Sequence, residues 1–316
     1  GASARVEERT TLISTTVATR QEVPQTEVYS TTVQAFAINN IAPQTGGRIK
    51  SIKVDVGSFV ERNQLLAEMD AAQLDQARLK LVNDSTELSR LRSLYEEGGV
   101  SKSDFDAAEM AWKVSRRSYN NLLENTLLRS PISGVITARN YDQGDLYSGQ
   151  PIFVVQQITP VKLLVGISES DYTKVKKGDQ VEITADAIPG RTFTGKVNKV
   201  YPTIDPTNHT FTTEVLVGNT DRTLRPGMFA RVKVEFGVNN SIVVPDEAVV
   251  KMQGSGQRNV YVVGSDNTVN SVIVKVGRHF DRYYEILEGL NEGDVVATKG
   301  SSSLKDGAKV EISKNN

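Results

Sequence analysis

The sequence predicts a mainly β protein of several small domains, broken once by an α-helical hairpin. Three observations carry that reading. Most of the chain alternates β-branched and polar residues between Gly and Pro turn signals. One block, from Ala72 to Thr126, instead repeats apolar or small residues at intervals of three and four. The glycine pattern in front of that block returns behind it, as if one small unit had been opened to let the helices out.

The β reading begins at Thr11–Val17, Glu27–Val33 and Arg48–Val56, which are separated by Pro24, Pro43 and Gly46-Gly47. The helical block then places Leu74, Ala77, Leu81, Leu88, Leu91 and Tyr95 in one seam, with Asp84 as its polar interruption. Gly98-Gly99 stops that helix. A second seam follows at Phe105, Ala108, Trp112, Ser115, Tyr119, Leu122 and Thr126, and Ser130-Pro131 ends it. Two runs of nearly equal length and a short joint predict an antiparallel pair about 35–40 Å long at ~1.5 Å per residue. The outer faces carry Arg90, Arg92, Lys113, Arg116 and Arg117, which suits a projecting coil better than a buried layer.

The flanks of the block resemble each other. Gly47-Arg48-Ile49 is followed by Gly57, then Gln64-Leu65-Leu66; Gly134-Val135-Ile136 is followed by Gly144, then Gln150-Pro151-Ile152. Both glycine pairs are ten residues apart. Two copies of one supersecondary unit are expected to pair and close a single small domain. From Val161 to Phe236, short strands between Gly and Pro turns predict a small barrel. A last β-rich block runs from Ser241 to Ile312, and residues 11–33 have it as a candidate partner.

Composition excludes several function classes. The 316 residues carry 37 Lys and Arg against 38 Asp and Glu, a formal net charge of −1, which offers nothing to nucleic acid. There is no cysteine, so neither a disulfide nor a thiolate metal site. The two histidines, His209 and His279, fall in different predicted domains and are too few for a His-rich metal centre. No nucleophile elbow, P-loop or dinucleotide fingerprint occurs, and Gly254-Ser255-Gly256 reads as a hairpin loop. The expectation is a protein that is not an enzyme, with no catalytic, cofactor-binding or metal-binding residue. No apolar run approaches the roughly 20 residues that span a bilayer.

The order half-domain, helical hairpin, half-domain, barrel, terminal β-domain resembles the periplasmic adaptors, or membrane fusion proteins, of RND-type efflux pumps, the HlyD-like/RND adaptor family. Ser130-Pro131-Ile132-Ser133-Gly134 resembles the family's return from its hairpin. Leu224-Arg225-Pro226-Gly227-Met228 resembles the entry to its last barrel strand. Ile242-Val243-Val244-Pro245 with Ala248-Val249-Val250 resembles its crossing into the membrane-proximal domain. The sequence departs from the family at Asn208-His209-Thr210, where a Thr-Arg-Thr string is usual, and its hairpin is short.

The resemblance implies an elongated chain of four parts. A membrane-proximal β-domain takes 10–40 and 240–313, a split lipoyl-like domain 41–70 and 130–158, the α-hairpin 71–129 and a β-barrel 159–239. Lipoyl and biotinyl carriers need a lysine at the turn that reads Glu68-Met69-Asp70-Ala71-Ala72 here, so carrier chemistry is not expected. The implied partners are an inner-membrane RND transporter, a TolC-like outer-membrane channel and further copies of the chain in a ring, as a trimer or hexamer. An ABC-type exporter stays open as the alternative transporter. Metal efflux is disfavoured, because Met69, Met110, Met228 and Met252 are scattered. The implied location is the periplasm. Gly1-Ala2-Ser3 reads as a trimmed start, with an inner-membrane anchor expected upstream.

The family's tip motif, an Arg, a Leu four residues on and a Ser seven after that, selects Arg90, Leu94 and Ser101 for channel docking. Ser101 equally suits an N-cap of the second helix, with Asp104 in a capping-box position. At the other end, the loop-like or strand-end stretches Lys251–Asn259 and Gly277–Tyr284 carry Arg258, Arg278, Arg282 and Tyr283. Arg and Tyr are favoured interface anchors, which makes these the expected transporter-docking residues. Tyr283 and Tyr284 equally fit two faces of one strand.

Overall fold

The computed structural model describes residues 9–314, so Gly1-Ala2-Ser3 lies outside the described residues. Among the described residues no helix is long and apolar enough to cross a membrane. The chain divides into two compact units. One comprises Gly1–Tyr29, Ser168–Lys176 and Lys233–Asn316; the other comprises Ser30–Ile167 and Lys177–Val232.

In the second unit the repeated glycine motifs meet. The strand Ile49–Ile52 pairs with Leu65–Met69, which pairs with Leu127–Arg129 beyond the helices. The strand Gly134–Arg139 lies between Phe59–Val60 and the start of Phe153–Ser168. The two halves exchange equivalent hydrogen bonds. The Gly57 NH donates to the Ile136 carbonyl and the Gly144 NH to the Ile49 carbonyl, both at 2.8 Å. Likewise the Ile136 NH donates to Ser58 at 2.9 Å and the Ile49 NH to Asp145 at 2.8 Å. Every donor and acceptor in one half has its counterpart 87 residues away in the other. Gly57 and Gly144 both turn at positive φ, 90° and 96°, a backbone that a Cβ penalises. Ile49, Leu66, Leu128, Ile136, Ile152 and Phe153 fill the core between the halves.

Gly134, the last residue of the family-like return string, is needed for a different reason. A Cβ there would lie 2.3 Å from the Gln156 carbonyl oxygen, so only glycine lets the two backbones approach. Beyond this sandwich, Gln180–Ala185, Thr192–Val200 and Thr210–Val217 form an antiparallel set. Asn219 fastens the following loop. Its amide donates to the carbonyls of Ile158 at 2.7 Å and Leu224 at 2.9 Å, while the Leu224 NH donates to its side-chain oxygen at 2.9 Å. Asn219 is buried, and these bonds satisfy its amide without water.

In the first unit the chain's beginning joins its end. Thr11–Ile13 pairs in parallel with Val310–Ile312, and Thr15–Val17 pairs antiparallel with Val295–Ala297. Arg258–Val263, Val269–Phe280, Tyr283–Glu288 and the end of Phe229–Pro245 continue as an antiparallel ladder. The stretch expected to be loop-like, Gly277–Tyr284, is mostly ladder. Phe280 pairs with Tyr283 across a two-residue turn, Asp281-Arg282, whose φ values are both positive at 45° and 66°. That conformation matches the right-handed twist of the flanking strands, which is why two non-glycine residues adopt it.

Candidate functional site

Two helices build the hairpin, α1 (Ala72–Glu96) and α2 (Lys102–Thr126). The seam runs as the three-four spacing dictates: Leu74 and Leu88 are buried on α1, Ala108, Ser115 and Thr126 on α2. Asp84 sits in this seam with a partner. It accepts a hydrogen bond from the Ser115 hydroxyl and pairs with Lys80 at 2.9 Å, and Lys80 also reaches Ser115 at 3.3 Å. Ser115 first, then Lys80, holds the Asp84 carboxyl below the usual carboxylate range. Trp112 completes the middle of the coil, with the Arg116 guanidinium 4.5 Å above its ring.

The tip is a Schellman closure followed directly by an N-cap. Gly98, at φ 77°, donates to the Tyr95 carbonyl at 3.0 Å, and Gly99 donates to the Leu94 carbonyl at 2.7 Å. The chain then extends through Ser101, whose hydroxyl accepts from the Asp104 NH at 3.1 Å and starts α2. Leu94 and Ser101 are thereby brought to the same end of the coil. The Leu94 side chain is half-buried beside Gly99, where a Cβ would come within 3.7 Å of its Cδ2 atom. Ser101 is exposed. Arg90 lies one turn back and its guanidinium folds onto Glu87, at 2.5 and 3.1 Å. Tyr95 and Phe105 stack across the end of the seam, a pairing that heptad spacing does not reveal.

The expected transporter-docking residues behave differently from one another. Arg278, expected on a docking surface, spends its guanidinium inside its own unit. It donates to Gln25 at 3.1 Å and pairs with Glu27, with Asp171 4.0 Å away and the Phe236 ring at 5.9 Å. Its backbone NH donates at 3.1 Å to Glu285, a fully buried carboxylate that also receives the Ser241 hydroxyl at 2.6 Å and the Gln25 amide at 3.2 Å. These hydrogen bonds replace the water the carboxylate loses. Tyr29 lies near the same carboxylates, and burial, then Glu27, push its hydroxyl up to about 12.

Arg258 instead reaches the Tyr284 hydroxyl at 3.5 Å, and His279 stacks on the same ring at 4.2 Å with its Nε2 3.2 Å from Asp246. Arg282 and Tyr283 occupy the turn and its exit and are exposed. A cavity of about 640 Å³ near the base of the hairpin is lined by Arg48, Lys50, Asp70 and Asp75, without a nucleophile or a base at its centre. Among the described residues no group of three or more His, Cys, Asp or Glu is placed to hold a metal ion.

These features define a class: a scaffold of small β-domains that carries a coiled-coil hairpin, with its most prominent side chains at the hairpin's end. Known proteins share the whole plan. Residues 37–157 match the family described as the barrel-sandwich hybrid domain of RND membrane fusion proteins. Residues 160–236 match the CusB-like β-barrel domain, and 241–312 the C-terminal permuted SH3-like domain of YknX. The multidrug/solvent efflux pump periplasmic linker protein MepA of Pseudomonas putida is 28% identical over 303 residues, covering 88% of this chain and 79% of that one. The multidrug resistance protein MdtA of Xenorhabdus bovienii is 27% identical over 314 residues, 90% of this chain and 76% of its own.

Two solved structures share the fold. A MacA–MexA chimera carrying the Pseudomonas aeruginosa MexA α-hairpin aligns with a TM-score of 0.63 at 22% identity, over 88% of this chain and 98% of its own. MacA from Actinobacillus actinomycetemcomitans aligns at 0.58 with 21% identity, over 89% and 98%. The chain belongs to the membrane fusion proteins of RND-type efflux pumps, the periplasmic adaptors.

Proposed function

We propose that this adaptor joins an inner-membrane RND transporter to a TolC-like outer-membrane channel, for export of drugs or other small toxic compounds. The observation that carries the proposal is the tip. A Schellman turn and an N-cap satisfy its backbone internally and leave Leu94 and Ser101 at the extremity of a narrow coil. Arg90, Leu94 and Ser101 are assigned to channel docking. The relatives named above, efflux-pump linkers and a multidrug resistance protein, support the substrate class.

The working division follows the four-part plan: 10–40 with 240–313, 41–70 with 130–158, 71–129, and 159–239. The transporter contact is assigned to Arg258, Arg282 and Tyr283, with Arg278 acting as the framework beneath them. Several copies form a ring. Each helix carries an outward apolar stripe at helical spacing, Leu79 and Val82 on α1, Met110 and Val114 on α2, all more than half exposed. Two hairpins side by side would cover such stripes. An N-terminal anchor holds the chain at the inner membrane.

The test is affinity purification of the tagged protein from crosslinked cell envelopes. A transporter and a channel should be recovered together with multimers of the chain. Recovery of neither membrane protein would overturn the reading.

A further inference from the structure

The docking reading names three tip residues, yet the structure places a second, ordered feature between them. The rings of Tyr95 and Phe105 lie parallel, 5.1 Å apart at an interplanar angle of 11°. Arg92 approaches the Phe105 ring at 6.0 Å. Tyr95 belongs to the last turn of α1 and follows Leu94 directly. Phe105 belongs to the first turn of α2, and its NH donates to the Ser101 carbonyl at 3.1 Å. The two rings therefore bracket the five residues, Glu97–Ser101, that join the helices.

Burial alone does not explain the pair. Tyr95 is 39% exposed, so it contributes less apolar area than a seam residue such as Leu88, which is 5% exposed. What a stacked pair adds is orientation. Aliphatic side chains facing each other tolerate rotation of one helix against the other, whereas parallel rings do so only by losing their overlap. On α1 the positions of Arg90 and Leu94 fall on one flank of the seam and Arg92 on the other, at ~100° per residue. The stack sits between those flanks. Fixing Tyr95 thus fixes the direction in which its neighbour Leu94 points, and fixing Phe105 fixes the turn that Ser101 caps.

We propose that the Tyr95–Phe105 stack, buttressed by Arg92, is the positioning element that presents Leu94 and Ser101 to the outer-membrane channel. The proposal rests on the docking reading. It adds residues to the tip that contribute to channel binding through geometry, without themselves touching the partner.

The chain has no cysteine, so one exposed reporter, Ser103→Cys, can carry a photo-crosslinker in the full-length protein in cells. Tyr95→Ala, Phe105→Ala and Phe105→Leu should each lower crosslinking to the channel by about tenfold, the equilibrium equivalent of one lost aromatic pair. Tyr95→Phe and Phe105→Tyr should stay within about twofold, because they keep the rings. Phe105→Leu preserves seam volume, so its helicity by circular dichroism should match the parent even if an alanine variant frays.

Parental crosslinking by Phe105→Leu would overturn the proposal. So would a loss in Tyr95→Phe as deep as in Tyr95→Ala. Leu94→Asp separates the two levels of the argument. If it crosslinks like the parent, the docking reading fails. If it abolishes crosslinking while the ring variants do not, only the positioning role fails.

Discussion

Two ends of this protein present Arg and aromatic residues near a tight turn, and they are built on opposite principles. At the hairpin tip, Gly98-Gly99 and Ser101 satisfy the backbone, so Leu94 and Ser101 carry little structural duty. At Asp281-Arg282, the strands on either side are tied into a buried polar network through Arg278 and Glu285. Residues of one type, arginines a few positions from a turn, therefore do different things. Arg90 is a solvated charge on a helix face, while Arg278 holds strand to strand. Residue type and proximity to a turn do not identify an interface; the number of internal partners a side chain already has separates the two cases.

The comparison makes substitutions diverge, with stability lost at one end and function at the other. Arg278→Ala should destabilise the first unit by about 2–4 kcal/mol, because Glu27 and Asp171 would be left without their cation. Urea unfolding of the purified protein measures this, and a loss under about 1 kcal/mol would make Arg278 a surface residue after all. Arg282→Glu with Tyr283→Ala should instead leave stability within about 0.5 kcal/mol and reduce crosslinking to the transporter alone. Equal loss of channel and transporter contacts would point to misfolding.

Ser101→Ala tests the dual duty of the cap. It should cost about 1 kcal/mol of α2 stability through the lost bond to the Asp104 NH. Asp104→Ala lacks that effect, because the bond uses its backbone. The smallest effect concerns Asp84 and has a defined sign. Its carboxyl titrates lower in the folded coil than the ordinary value of 3.8. Its stabilisation is therefore complete above that ordinary value and is lost as pH falls through the lower, folded value. Asp84→Asn should flatten the acid limb of a melting-temperature profile below about pH 4 and leave neutral pH nearly unchanged. An unchanged acid limb would mean that Asp84 is as solvated as the other outer-face carboxylates.

Much of the architecture was legible because it is periodic. The bounds of α1 follow from the seam and the Gly-Gly stop, and α2 begins earlier than Phe105 because Ser101 caps it. The ten-residue glycine spacing anticipated the exchanged hydrogen bonds of the two half-domains, although not that Gly134 is fixed by the Gln156 carbonyl. The framework role of Arg278 was not legible. Its partners Gln25 and Glu27 lie more than 250 residues away, and neither periodicity nor local spacing records such a contact. The strand Phe229–Pro245 also exceeds its expectation, since the polar Asn239-Asn240 step that read as a break stays extended. The Tyr95–Phe105 stack was half-legible: spacing placed both rings in the seam, but only the structure gives their mutual angle.

The claim on which all of this rests is that the hairpin tip is a contact surface and not a structural necessity. Leu94→Asp and Ser101→Asp, each expressed in cells lacking the wild-type chain, address it most directly. Drug or detergent resistance is scored beside the thermal unfolding of the purified variant. The account predicts that resistance falls to that of the deletion strain while the first unit and the half-domain sandwich unfold as in the parent. Folded variants that restore full resistance would contradict it.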